Sequence, residues 1–349
     1  MSVLQKDSAA VGSVRGRVLR RPHPRIRRVM TALVVVLALV GVVGLYRTFA
    51  GPAGVGHFRS AQDRQEYLGY YQQVMETMPA PSRVEDVTTS YGTVRVYTWE
   101  SDAGRDSPPV VLLPGRASGA PMWAVNIPLL IQSRRVIALD ALGDAGMSVQ
   151  SVPLTSPDDQ AAWIDEVLAD VAPDGVHLVG HSFGGATAAL YARIHPERVR
   201  SLTLLESVFV FAYPPADIMG WTVVSSIPAL PEGWRNKALE RIGGEKLSGT
   251  DPMELMIKAG AEKFDASLPT PSPLTYEQAE ALTMPVYVAI AGRNSVAGGS
   301  KAVERAQKIL PQASIQVWDN ATHSLPMQEA ESLTPVLEQF WAQGDTGSS

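Results

Sequence analysis

Gly180-His181-Ser182-Phe183-Gly184 sets a serine between glycines in the pattern G-x-S-x-G. The pentapeptide alone is weak in a chain with 29 glycines, but its context strengthens it. The apolar run VHLVG leads in as a strand, and GGATAALYARIH leads out as a helix. Small flanking residues permit a sharp strand-to-helix turn that lifts the serine hydroxyl clear of a sheet. The start of the following helix also offers backbone N–H groups to a developing negative charge. A serine hydroxyl attacks poorly unless a neighbouring base takes its proton, so the six histidines come next. His23 lies in a basic tail and His57 in a linker. His177 is inside a strand, His181 flanks the serine, and His195 closes a helix. His323, in DNATHSLPM, falls just after the last strand and before the last helix, and it is the expected base.

Other chemistries lack their residues. There is no cysteine, which excludes disulfides, thiolate metal sites and a cysteine nucleophile. No H-E-x-x-H spacing supports a metal hydrolase. Neither a G-x-G-x-x-G after the first strand nor a P-loop occurs, so no metal and no cofactor is expected.

The elements that must position Ser182 and His323 alternate along the chain. Strand candidates are Asp86–Ser90, Thr93–Trp99, Val110–Leu113, Val136–Leu139, Val176–Val179, Val199–Leu205, Val286–Ile290 and Ile315–Trp318. The last six are nearly continuous apolar runs, as in strands buried on both faces. Helices fit at 157–171, 184–194, 299–309 and 328–341. This rhythm predicts an α/β fold: a mostly parallel eight-stranded sheet with helices on both faces. Phe58 to Met78 reads as an amphipathic helix, ended by Pro79 and Pro81. One interval breaks the rhythm. From Ser207 to Thr283 there is no strand signal, several prolines and two tryptophans, which predicts an inserted helical cap. Trp123, Trp221 and Trp234 fit either an apolar pocket or plain core.

Net charge divides the chain unevenly. Lys6 and seven arginines face only Asp7 in the first 28 residues, a net of +7 in a chain whose total is −5. The remainder is therefore acidic, which argues against a nucleic-acid partner. Val29 to Tyr46 carries no charge, and eighteen helical residues span about 27 Å, close to a bilayer's hydrocarbon core of about 30 Å. A basic run followed by such a segment predicts a transmembrane helix with the tail in the cytoplasm and the acidic body outside it. Thr48-Phe49-Ala50 before Gly51 is the alternative, a cleavage site that would release the body. Arg47 between the apolar run and that site favours an uncleaved anchor. The expected organisation is a basic tail (1–28), a transmembrane helix (29–46) and a linker with the amphipathic helix (47–83). The first part of the α/β core (84–206), the helical cap (207–283), the second part of the core (284–342) and a flexible tail (343–349) complete it.

From about Phe58 to its end the chain resembles the bacterial α/β-hydrolase-fold carboxylesterases. Six stretches carry the resemblance in order: FRSAQDRQEYLGYY, TTSYGTVRVY, LLPGRASGAPMW, ALDALGDAGMS, GHSFGG and ATHSLPM. The G-D-A-G-x-S phrase at Gly143–Ser148 is the most particular. The resemblance implies the α/β-hydrolase fold and a small-molecule ester substrate. It implies an acyl-enzyme on Ser182, with His323 as base and then acid. It implies an oxyanion hole from the backbone N–H groups of Phe183 and Arg116. Two departures stand out. Pro114-Gly115 replaces the family's usual His-Gly, a small matter where the donors are backbone amides. More seriously, Ala291–Gly299 (AGRNSVAGG), where relatives often carry the acid that orients the histidine, contains no acid at all.

Three replacements are open. Glu206, at the edge of the sixth strand, is the expected one; Asp140, ending the fourth, is second; Asn294 or Ser295 would orient His323 without charge. The Arg116 guanidinium either binds an anionic substrate group or simply faces solvent. Two further functions stay open: an amide or peptide hydrolase, and an exported binding protein that kept the fold and lost full catalysis.

Overall fold

A computed structural model describes residues 54–346 together with Arg28 and Thr31. The chain divides into two units, Met1–Arg47 and Thr48–Ser349, and the second carries everything below. The expected anchor, Val29–Tyr46, lies outside the described residues except for Thr31. Among the described residues no helix is long and apolar enough to cross a membrane.

Eight strands form the sheet: β1 (Arg83–Thr89), β2 (Gly92–Trp99), β3 (Val110–Leu113), β4 (Val136–Leu139), β5 (Val176–His181), β6 (Val199–Leu205), β7 (Val286–Ala291) and β8 (Ser314–Trp318). Their order is β8-β7-β6-β5-β3-β4-β2-β1. The six from β3 to β8 run parallel, and β2 runs antiparallel to both of its neighbours. With those antiparallel pairs the sheet is mixed, and a ninth strand, Val149–Gln150, pairs antiparallel with the start of β2 off the path of the eight, one strand more than the sequence predicts. That pairing depends on Gly92, at φ 147°, where a Cβ would meet the Val149 carbonyl oxygen at 2.2 Å.

The apolar runs work as two-sided strands. Val111 and Leu113 of β3 face one core with Ile137 and Leu139 of β4, while Val110 and Leu112 face the other with Val136 and Ala138. Helices α2 (Asp158–Val171), α3 (Phe183–Ile194) and α8 (Ser300–Ile309) cover the first face. On the second lie α1 (Ala61–Met75) and α9 (Ala330–Thr346). Helix α1 starts where the Ser60 side chain accepts from the Asp63 N–H, and it buries Tyr67, Tyr71 and Val74.

Between β6 and β7 the chain forms α4 (Ala216–Ser225), α5 (Glu232–Gly243), α6 (Pro252–Lys263) and α7 (Tyr276–Glu280). Helices α4 and α5 pack together, and α6 packs on α1. The interval also holds Phe264–Asp265, which pairs antiparallel with His57–Phe58. Of the three tryptophans, Trp123 is buried in the core, whereas Trp234 is 61% exposed. Trp221 is half-buried.

Candidate active site

Every candidate residue sits just past the carboxyl end of a strand, where the crevice of an open parallel sheet lies. Ser182 follows β5 with φ 53° and ψ −120°, a left-handed conformation that a side chain rarely adopts. Three contacts hold it there. Its N–H donates to Leu205 O at 3.1 Å, and its carbonyl accepts from Gly185 at 3.1 Å and Val208 at 3.2 Å. The elbow glycines are there for close approach. A Cβ on Gly180 would meet Gly184 O at 2.4 Å, and one on Gly184 would meet Pro114 O at 2.3 Å. Helix α3 can thus start directly over β3 and β5.

His323 lies in the loop between β8 and α9. Its Nε2 is 2.9 Å from Ser182 Oγ and its Nδ1 is 3.1 Å from Glu206 Oε2. A carboxylate only accepts, so Nδ1 carries the proton and Nε2 is left to accept from the serine hydroxyl. Ser182, His323 and Glu206 therefore form one hydrogen-bonded row drawn from three strand ends.

The acid-free stretch after β7 surrounds the Glu206 carboxylate with donors. Oε1 accepts from the Ala291 N–H at 2.8 Å and the Ser295 hydroxyl at 2.7 Å. Oε2 accepts from the Val296 N–H at 3.0 Å and the Ala297 N–H at 3.3 Å. Burial pushes this carboxyl up. Hydrogen bonding and charge from His323, then the Ser295 hydroxyl and the Ala291 N–H, more than offset it and hold Glu206 below the ordinary glutamate value. Ser295 thus touches the acid and not the histidine. Asn294 accepts from Arg241 Nη1 at 3.1 Å instead.

Asp140 holds loops. Its carboxylate accepts from the N–H groups of Ala120 and Met147 at 2.6 Å and from the Tyr71 hydroxyl at 3.0 Å. Burial raises its pKa despite these donors. The Gly143–Ser148 phrase has a structural reason as well. Asp144 accepts from the Ala117 N–H at 3.0 Å and from the Ala145 N–H at 2.8 Å, while the Ser148 hydroxyl donates to Asp140 O at 2.7 Å. Together they tie down the loop that carries Arg116.

Within that loop the N–H of Gly115 meets Met122 Sδ and that of Ala117 meets Asp144. Among the described residues the N–H groups of Arg116 and Phe183 donate to no other protein atom. The Arg116 side chain is 46% exposed, with Nε 3.7 Å from Asp144 Oδ2 and its guanidinium carbon 5.8 Å from the Phe183 ring centre.

Two residues beyond the expected triad and its donors support the site. One is Asp144. The other is His181, whose Nε2 donates to His323 O at 2.8 Å. Burial, then the charge of His323, pushes His181 down to about 3, so it stays neutral and positions the backbone of His323. A Cβ on Gly115 would sit 2.9 Å from its Nδ1. The signal available was its place between strand and serine, where a polar side chain is bound to be buried.

Residues 108–242 match the family model described as the alpha/beta hydrolase fold. Carboxylesterase YbfK of Bacillus subtilis (strain 168) is 22% identical over 294 residues, covering 82% of this chain and 97% of that protein. The uncharacterized carboxylesterase nap of the same organism is 24% identical over 298 residues, 81% of this chain and 95% of its own length. The crystal structure of naproxen esterase from Bacillus subtilis superposes with a TM-score of 0.74 at 21% identity, covering 81% of this chain and 99% of that one. The chain has the α/β-hydrolase fold, and its relatives support a hydrolase.

Proposed function

We propose that this chain is a serine hydrolase of carboxylic esters, acting through Ser182, His323 and Glu206. The observation that carries the reading is the continuous row of hydrogen bonds from the Ser182 hydroxyl through His323 to a buried carboxylate. Relatives named as carboxylesterases point to esters. Ser182 Oγ attacks the ester carbonyl while its proton passes to His323 Nε2. Glu206 keeps the imidazole in the required tautomer and offsets the charge of the imidazolium. Negative charge growing on the carbonyl oxygen meets the N–H groups of Phe183 and Arg116. Collapse releases the alcohol, which takes its proton from His323 and leaves an acyl group on Ser182. A water that gives a proton to His323 then frees the acid and restores the serine.

The reading extends to place. The basic tail and the uncharged run Val29–Tyr46 support a single-pass anchor with the hydrolase body outside the cytoplasm. One experiment addresses both. Fluorophosphonates react fast only with an activated serine, so full-length chain separated with the membrane fraction and washed with alkaline carbonate is expected to label there. Ser182→Ala is expected neither to label nor to hydrolyse p-nitrophenyl butanoate. Undiminished hydrolysis by Ser182→Ala overturns the mechanism, and label found wholly in the soluble fraction overturns the anchor.

A further inference from the structure

From Ile218 to Pro231 (IMGWTVVSSIPALP) the cap has no charged residue, yet within this run only Ile218 and Ser225 are buried. The run covers most of α4 and the turn into α5. Two contacts fix how α5 lies beside it. Arg241 Nη2 binds Asp217 Oδ2 at 2.8 Å, and Lys237 Nζ lies 6.0 Å from the centre of the Trp221 ring. The two helices are therefore antiparallel, and the same register one turn further sets Trp234 beside Val224. Trp234 is 61% exposed and Met219 is 37% exposed, with Val223 one turn from Met219 on the same side of α4. Tryptophan with aliphatic neighbours and a lysine at the rim suits the boundary between lipid headgroups and acyl chains. The buried side of α4 reaches the site. Ile218 packs with Val208 and Val296 against Phe183, and at the end of α5 Gly243 O accepts from Thr322 Oγ1 at 2.9 Å, next to His323.

We propose that this uncharged face of α4 and α5 docks on a lipid bilayer and so sets the active site at the membrane surface. The inference rests on the anchor proposed above, and the course of the chain says why the occupant is lipid. The uncharged run Val29–Tyr46 ends eight residue steps before Gly54, a reach of at most about 29 Å. From Gly54 onward the chain is fastened to the cap. The Gly54 N–H donates to Ser267 Oγ at 2.8 Å, His57–Phe58 pairs with Phe264–Asp265, and Arg59 Nη2 donates to Ser226 O at 3.4 Å. Ser226 lies inside the uncharged run, directly after α4. Helix α4 is only about 15 Å long, so its far end is well inside the reach of the tether. A bilayer that holds the anchor is thus offered to this face at high effective concentration. The body is acidic, so burial of apolar surface, and not attraction between charges, drives the docking.

The chain has no cysteine, so Ala229→Cys, at an exposed position in the turn between α4 and α5, takes a fluorescent dye at one place only. Asp102→Cys is the comparison. Asp102 lies between the end of β2 and the start of β3, at the end of the sheet opposite the site, and its side chain is 99% exposed. Full-length chain carrying either dye is reconstituted in phosphatidylcholine vesicles, with and without bromine on the lipid acyl chains. Brominated lipid is expected to quench the dye at position 229 and to leave the dye at position 102 unchanged. Met219→Glu with Val223→Glu puts two charges on the face, which makes its burial in lipid unfavourable. That pair is expected to remove most of the quenching at position 229, with melting temperature and hydrolysis of p-nitrophenyl butanoate retained. No quenching at position 229, equal quenching at both positions, or quenching that survives the two glutamates overturns the docking. A dye response that grows with protein density and ignores bromine means that a second copy covers the face, which overturns it too. Failure of the anchor looks different: alkaline carbonate releases the whole chain from the vesicles, and this inference falls with that reading.

Discussion

Glu206 ends a strand at φ 47°, fully buried, and each carboxylate oxygen takes two donors besides its link to His323. A neutral amide cannot accept from all of them, because one end of Gln is itself a donor. Glu206→Gln is therefore expected to lower kcat by about 10²–10⁴ and to slow fluorophosphonate labelling in parallel, which stopped-flow labelling measures. Retained wild-type labelling moves the acid elsewhere. The pH dependence has a definite sign. A carboxylate held below its ordinary value stabilises the fold at pH above the unfolded value of about 4.3, and that contribution is lost as pH falls through the depressed folded value. Urea midpoints of the wild-type chain should drop more steeply than those of Glu206→Gln below pH 4.3. Position at a strand edge makes Glu206 readable in the sequence. Its cradle is not readable, since AGRNSVAGG gives away only its lack of an acid, and backbone donors have no residue signature.

Elements were legible where burial dictates composition. The runs VVLL, VIAL and VRSLTLL become β3, β4 and β6 with the same bounds, because alternate residues of each enter opposite cores and most of them must be apolar. The two-residue ladders at Val149–Gln150 and His57–Phe58 were not legible. Two residues carry no period, and their partners lie far away in sequence. The strand-to-helix turn at Ser182 lies between these cases: its glycines are visible, but their reasons appear only in space. A Cβ on Gly185 would sit 1.8 Å from Ser207 Oγ and 2.5 Å from Ser207 Cβ, with Gly180 O next at 3.1 Å. Gly185→Ala should therefore destabilise the chain by about 1–3 kcal/mol and cut ester hydrolysis as α3 shifts the serine. Most of that cost belongs to one neighbour, so Ser207→Gly in the same chain should restore much of the stability. A double-mutant cycle in urea measures this coupling; additive losses would mean that the backbone, not Ser207, sets the limit.

The molecule holds a second row of similar composition at the opposite end of the sheet. His177 near the start of β5 meets Ser201 Oγ at 2.8 Å through Nδ1 and Asp345 Oδ1 at 3.0 Å through Nε2. Asp345 also binds Arg134 Nη2 at 2.8 Å, so this row fastens α9 to the sheet. Ser201 and His177 are fully buried, which denies them any substrate: access, and not the hydrogen-bond pattern, separates a site from a staple. What the staple does is couple folding to pH. Burial, partly countered by Asp345, pushes His177 down to about 4, whereas in the unfolded chain it titrates near about 6.5. Between these values the unfolded chain binds a proton that the folded chain refuses, so stability falls as the pH is lowered from 6.5 toward 4. One such group amounts to about 3 kcal/mol across that window. His181, pushed down to about 3, titrates with the same sign and keeps part of the slope in any His177 variant. His177→Gln is therefore expected to flatten the dependence of unfolding free energy on pH between 6.5 and 4 without abolishing it. Urea titrations at half-unit steps of pH measure the slope. A variant slope equal to the wild type's would mean that α9 leaves the sheet before His177 takes its proton.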